Sequence, residues 1–263
     1  MRIARFVSGD NPAYGVVELA QDNGDHPETI SVLNGDPLAG AVNFTGERLA
    51  LDDVRLVAPV IPRSKIVAVA RNYVAHADEL GNDVPEVPMV FLKPNTSVIG
   101  PDDPVVLPPW AKTAYHGPEL AVVIGRACKD VAVSRVKDVI FGYTVANDVS
   151  AAAGDNTRAK AFDTSCPIGP VIETDLDTAD LKLESKVDGE VRHEGSTSKL
   201  MFSVAELVAH ASSIFTLLPG DIVLTGIPAG VGGAESGEIE AGQDVEVSCE
   251  SIGSFRNPVL RRD

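Results

Sequence analysis

Short apolar runs broken by Gly, Pro, Asn and Asp extend along the whole chain. In the first 58 residues, "RIARFV", "YGVVELA" and "ETISVL" have strand length and strand composition. "VRLVAPVIP" then leads into "KIVAVARNY", a strand running into the helix-like "NYVAHADELG". Gly81 is placed to stop that helix just past its last turn. "VPMVFLKP" reads as a strand ended by Pro94. From residue 104 onward, apolar strands alternate with turns: "PVVLP", "ELAVVIG", "VIFGYTVANDV", "CPIGPVIE", "LKLESKVDGEVRHEG", "DIVLTGIP" and "DVEVSCESIGSFRNPV". Within the fifth of these, "DGEV" predicts a tight hairpin turn. One amphipathic helix interrupts the pattern. Ser203 is its predicted N-cap, with Glu206 completing a capping box. Val204, Leu207, Val208, Ala211 and Ile214 fall at helical spacing. The pattern is mainly β (α+β) with few helices, and it holds no repeat or low-complexity tract.

Composition narrows the class. The chain has 263 residues, 44% hydrophobic and 23% charged, enough for a sizeable core. The formal net charge of −16 disfavours nucleic acid and anionic membrane as partners. An anionic substrate would need local Lys or Arg, or a cation, to offset it. Cys128, Cys166 and Cys249 are odd in number and widely spaced, so no disulfide framework is expected. The start lacks a signal-peptide h-region, and no apolar run approaches the roughly 18 residues that span a bilayer. A cytoplasmic location is the expectation.

Several residues are candidates for chemistry. His76 and Glu79 stand three apart on the expected helix and share a face. A carboxylate beside an imidazole fixes its tautomer and raises its basicity. On spacing alone, a solvated surface pair is the commoner outcome. Lys93 ends an apolar strand before Pro94, where it faces a cleft or, like most lysines, solvent. Asp148 follows the strand "GYTVAN"; it is either a cation ligand or part of an Asn-Asp turn. "TRAKAFD" contributes Lys160. "TGIPAGVG" is a Gly-rich loop but not a P-loop, because no Gly-Lys-Ser/Thr follows.

From about residue 58 to the end, the ordered series "KIVAVARNYVAHADELG", "FLKPNTSVIGP", "ELAVVIGRACKDV", "GYTVANDVSA", "RAKAFDTSCPIGPVI", "LLPGDIVLTGIPAGVG" and "IGSFRNPV" resembles the fumarylacetoacetate hydrolase family. The first 58 residues are similar to the small N-terminal domain of the bacterial two-domain members. The resemblance implies a small β domain over 1–58 and a catalytic domain over 59–263. The latter would be a pseudo-symmetric roll of mixed β-sheet in a homodimer. It implies Mg²⁺ or Mn²⁺ held by two Glu and one Asp, chelating a keto acid or β-diketone. It also implies a His–Glu pair on a lid helix that activates water, and a lysine supporting substrate charge. Carried over by position, the pair is His76 and Glu79, the lysines are Lys93 and Lys160, and the metal carboxylates are Glu119 and Asp148. Arg71, Tyr73, His116 and Ile227 fall in the substrate-binding segments.

The departures cluster. The family's first metal Glu is Gly117 here. Ala152 and Ala153 replace an Arg-Asp pair, the loop to "RAK" is shortened, Ile227 replaces a substrate-contacting Thr, and Ala70 replaces a Gly. Glu119 and Asp148 alone would hold a hard cation weakly, through added water or substrate oxygens. His116 favours softer metals, and alternation along an extended segment points it away from the vacated place. Three readings follow. The first is family chemistry on a small keto acid, β-dicarbonyl or enol, with a weakened metal site: C–C hydrolysis, decarboxylation or keto–enol isomerisation. The second is a metal-independent isomerase or cyclase of a biosynthetic pathway. The third is a non-catalytic binding protein. Losing a metal carboxylate harms water activation most and proton transfer on an acidic keto–enol substrate least.

Overall fold

The computed structural model describes residues 1–19, 28–79, 81, 83–231 and 233–262. Leu80, at the end of the expected lid helix, and Gly232, in the Gly-rich loop, lie outside the described residues.

The fold is mainly β. Among the described residues there are three α-helices: α1 (Val74–Glu79), α2 (Asn156–Lys160) and α3 (Val204–Ile214). The central layer is a twelve-stranded mixed sheet. Its middle is the strand Pro118–Ile124, every residue of which is buried. It pairs antiparallel with Ile140–Asn147 on one side and with Ile222–Leu224 on the other. A strand buried on both faces reads as a continuous apolar run, which is what "ELAVVI" is. Each Val, Leu or Ile fully buried in such a strand contributes about 1.5–3 kcal/mol.

The N-terminal strands are not a detached layer. Arg2–Val7 pairs with Pro12–Glu18, and its Arg2 and Ile3 lie opposite Glu173 and Ile172 of the strand Cys166–Glu173. The four strands Arg2–Val7, Pro12–Glu18, Thr29–Leu33 and Phe44–Ala50 therefore extend the central sheet at one edge. A second, five-stranded sheet contains the hairpin Lys182–Val187 and Glu190–Ser196. Its turn residues Asp188 (φ +52°) and Gly189 (φ +84°) both have positive φ, as the expected tight hairpin requires.

Local signals explain the helices. Ser203 and Glu206 form the complete capping box predicted for α3. Val204, Leu207, Val208 and Ala211 are buried as the spacing predicts, whereas Ile214 is 47% exposed. Ile214 is the last helical residue, so its side chain overhangs the rim of the packed face. Helix α1 is short and stops where expected: Gly81 has φ +61°, and its N–H donates to the Asp78 carbonyl.

Candidate active site

Loops leaving the central strands bring the candidate residues together. Ile66–Ala70 and Ile222–Leu224 run parallel, so the segments after them, Arg71–Tyr73 and Thr225–Ile227, leave on the same side. Asn72 ties them: its Nδ2 donates to the Thr225 carbonyl at 2.8 Å and to the Phe202 carbonyl at 3.0 Å. Gly226 must be glycine. It has φ +103°, and an added Cβ would lie 2.8 Å from the Asn72 Cβ.

A cavity of about 460 Å³ opens at this end, lined by His76, Glu79, His116, Lys160 and Ile227 among others. Helix α1 supplies its lid side. His76 Nδ1 lies 3.2 Å from Glu79 Oε2, and both Glu79 oxygens accept from the Gly230 N–H at 3.1 Å. The solvated-pair outcome does not occur: both side chains are mostly buried, and Glu79 is tied to the Gly-rich loop through the Gly230 N–H. A carboxylate only accepts, so the bond to Glu79 places the proton on His76 Nδ1 and leaves Nε2 to exchange one.

Behind the cavity lies a buried charge cluster. Lys93 is wholly buried and donates to Asp148 Oδ1 at 2.6 Å and to the Val149 carbonyl at 3.2 Å. Lys160, from α2, donates to Asp148 Oδ2 and reaches the cavity wall. Burial pushes the Asp148 carboxyl up, but the two ammonium groups outweigh it and the net direction is down. Glu119 goes the other way, to about 8, because of burial first and the Asp148 charge second. Its Oε2 accepts from the Gly226 N–H. With Glu119 protonated, two ammoniums face one carboxylate, so the cluster is net positive despite the acidic chain. Lys160 is its outlet to the cavity.

A divalent cation does not fit this donor set. Both Asp148 oxygens already accept from ammonium groups. The third family carboxylate has no room. A Cβ built on Gly117 would lie 2.4, 2.5 and 2.6 Å from three side-chain atoms of Ile227. Gly117 and Ile227 are thus one change, an isoleucine packed where a carboxylate would project. The adjacent buried atom without a partner, Asn147 Nδ2, is a donor that repels a cation. Among the described residues no group of three His, Cys, Asp or Glu is placed to hold a metal.

The other expected residues are placed as follows. Tyr73 is buried and is not among the residues lining the cavity, and its hydroxyl has no hydrogen-bond partner among the described residues. Its pKa is raised by burial and by Glu119. Arg71 is half-buried with φ +58°, and it is not among the residues lining the cavity. His116 points away from Glu119 and Asp148, bonding to the Gly237 carbonyl and to Ser185. Tyr115, Ser150, His193 and Glu238 also line the cavity and were not singled out from the sequence. The alternation in "VRHEG" held a signal for His193: it is the inward position between half-buried Arg192 and exposed Glu194.

Comparison with known proteins agrees with the motif series. Residues 65–260 match the family profile described as fumarylacetoacetate (FAA) hydrolase C-terminal, and residues 1–59 match one described as Rv2993c-like, N-terminal. The chain belongs to the fumarylacetoacetate hydrolase family. It is similar to a solved structure of 5-carboxymethyl-2-hydroxymuconate delta-isomerase from Mycobacterium smegmatis, with 44% identity, TM-score 0.87 and full coverage of both chains. It is 38% identical to the human oxaloacetate tautomerase FAHD2A, mitochondrial, over 81% of this chain and 71% of that protein. It also resembles a maleylpyruvate hydrolase from Sphingobium sp. SYK-6 solved with manganese(II) and pyruvate, with 32% identity, TM-score 0.78 and full coverage of both. Relatives are thus named as isomerases, tautomerases and hydrolases, and this chain is a family enzyme of that group. No helix among the described residues is long and apolar enough to cross a membrane.

Proposed function

We propose that the chain catalyses keto–enol isomerisation of a small keto acid or β-dicarbonyl with its own acid–base groups, independently of a divalent cation. The observation that carries this reading is the pairing of Gly117 with Ile227 inside a cavity that keeps His76, Glu79 and Lys160. Hydroxide generation without metal help demands a strong base, whereas a proton flanked by carbonyl groups is already acidic. The names of the isomerase and tautomerase relatives point the same way.

In this mechanism Lys160 pairs with the substrate carboxylate and the positive cluster offsets the chain's acidity. His76, oriented by Glu79, moves the proton at the carbon beside the carbonyl through Nε2. Glu79 is itself held by the Gly230 N–H, so the imidazole keeps one tautomer through the cycle. Ile227 supplies an apolar wall that excludes water from the enol. Cyclisation by conjugate addition would use the same groups. Metal-assisted C–C cleavage is the second reading, favoured by the manganese- and pyruvate-bound relative.

The test is the enol-to-ketone conversion of oxaloacetate followed by ultraviolet absorbance. His76→Ala should lower kcat by about a hundredfold or more, the usual contribution of a positioned acid–base group. An unchanged kcat in a folded His76→Ala variant contradicts the proposal.

A further inference from the structure

Three buried side chains form a hydrogen-bonded chain that ends at the cavity and that the mechanism above does not use. His116 Nδ1 lies 2.9 Å from the Gly237 carbonyl, and His116 Nε2 lies 2.9 Å from Ser185 Oγ. Ser185 Oγ lies 2.9 Å from His193 Nδ1. The two rings stand edge to face at 4.9 Å. His116, Ser185 and His193 are all at least 97% buried, and both His116 and His193 line the cavity.

The direction of every bond in this chain is fixed from its far end. A carbonyl only accepts, so His116 Nδ1 carries the proton. Burial disfavours the charged imidazole and pushes His116 down to about 4, so its Nε2 is bare at neutral pH. Ser185 must then donate its single hydrogen to His116. Its oxygen is left to accept from His193, which puts a proton on His193 Nδ1. Burial, with His116 and His76 nearby, pushes His193 down to about 3, so this ring is neutral too. His193 Nε2 therefore has a free lone pair. It also stands near the cavity floor, where a Cβ added to Gly237 would be 3.6 Å from it.

We propose that His193 Nε2 is the acceptor that binds the hydroxyl hydrogen of an enol substrate, with Ser185 and His116 as positioning residues that lock its tautomer. This rests on the keto–enol reading of the cavity and adds a specificity determinant to it. A fixed acceptor favours the form of the substrate that carries a hydroxyl donor over the ketone, which offers only an acceptor. Sites built to meet a hydroxyl discriminate strongly because a mismatched ligand leaves a buried group unpaired. His76 and Lys160 do the proton transfer and carboxylate binding; His193 selects which tautomer enters.

Two variants separate the roles. An asparagine amide nitrogen reaches the place of Nδ1, so His193→Asn keeps the Ser185 bond and removes the cavity acceptor. A glutamine amide reaches the place of Nε2, so His193→Gln restores an acceptor oxygen there. With both variants shown to fold by circular dichroism, His193→Asn should raise KM for enol oxaloacetate about tenfold, the usual worth of one hydrogen bond. Its kcat should change less, and His193→Gln should recover part of the loss. The ¹⁵N spectrum of the free wild-type enzyme should show His193 Nε2 as a bare, pyridine-type nitrogen, and Ser185→Ala should mix its tautomers. A protonated Nε2 in the wild type overturns the proposal. So does an unchanged KM in His193→Asn while His76→Ala is inactive, which leaves the isomerase reading standing. A wild-type enzyme without isomerase activity overturns that parent reading and the substrate role of His193 with it. A bare Nε2 would then show that the tautomer lock was real but served another ligand.

Discussion

At the scale of single residues, one contact decides more than any other: Gly117 against Ile227. Each departure from the family pattern was visible in the sequence, but nothing in the sequence showed that they touch. They lie 110 positions apart in number and meet because the strand Ile222–Leu224 pairs with Pro118–Ile124. The contact makes a prediction. Gly117→Glu alone forces a side chain into atoms 2.4–2.6 Å away and should destabilise by about 1–3 kcal/mol, as overpacking does. Adding Ile227→Thr should return part of that loss, because the smaller side chain vacates the same space. Urea unfolding of the two single variants and the double variant reads the coupling. Additive losses would show that the two side chains do not share the space. His76 and Glu79 stood out by their three-residue spacing, but spacing alone favoured a solvated surface pair, and only the family resemblance suggested a lid role for them. The burial of Lys93 was not legible, because a strand-end lysine is usually solvated and only Asp148 and the Val149 carbonyl account for it.

At the scale of elements, the alternating apolar runs, the capping box of α3 and the Asp188–Gly189 hairpin were all readable, since each is set by neighbours in sequence. The chain from His116 through Ser185 to His193 was not, because His116 lies far in sequence from Ser185 and His193. It stitches the segment before Pro118–Ile124 to both strands of the hairpin. This has a consequence for pH. His116 and His193 are held near 4 and 3 in the fold, against about 6.5 in an unfolded chain. Between those values the unfolded chain binds more protons, so stability rises with pH up to about 6.5 and is flat above it for these groups. Each histidine steepens the loss on acidification by up to about 1.4 kcal/mol per pH unit. Urea unfolding between pH 7.5 and 5 should therefore show a shallower loss for His193→Asn than for the wild type. Parallel losses would mean that His193 carries its proton in the fold.

At the scale of the whole molecule, the fold holds a catalytic scaffold constant while the interior of one cavity changes. The central sheet places the ends of several strands around about 460 Å³. The same scaffold serves relatives named as isomerases and as a hydrolase, so the fold alone does not choose the reaction. The choice lies in what the segments around the cavity project. Here they project His76 with Glu79, one lysine backed by a positive cluster, a bare imidazole nitrogen and an apolar wall. The excess of acidic residues over the whole chain says nothing of this, because Lys93 and Lys160 reverse the sign locally. The central claim is that proton transfer here proceeds without a divalent cation. The direct measurement is turnover of enol oxaloacetate by enzyme stripped with a chelator, then titrated with Mg²⁺ and Mn²⁺. The account predicts a rate that stays the same throughout. A rate that vanishes on stripping and returns saturably with Mn²⁺ would contradict it.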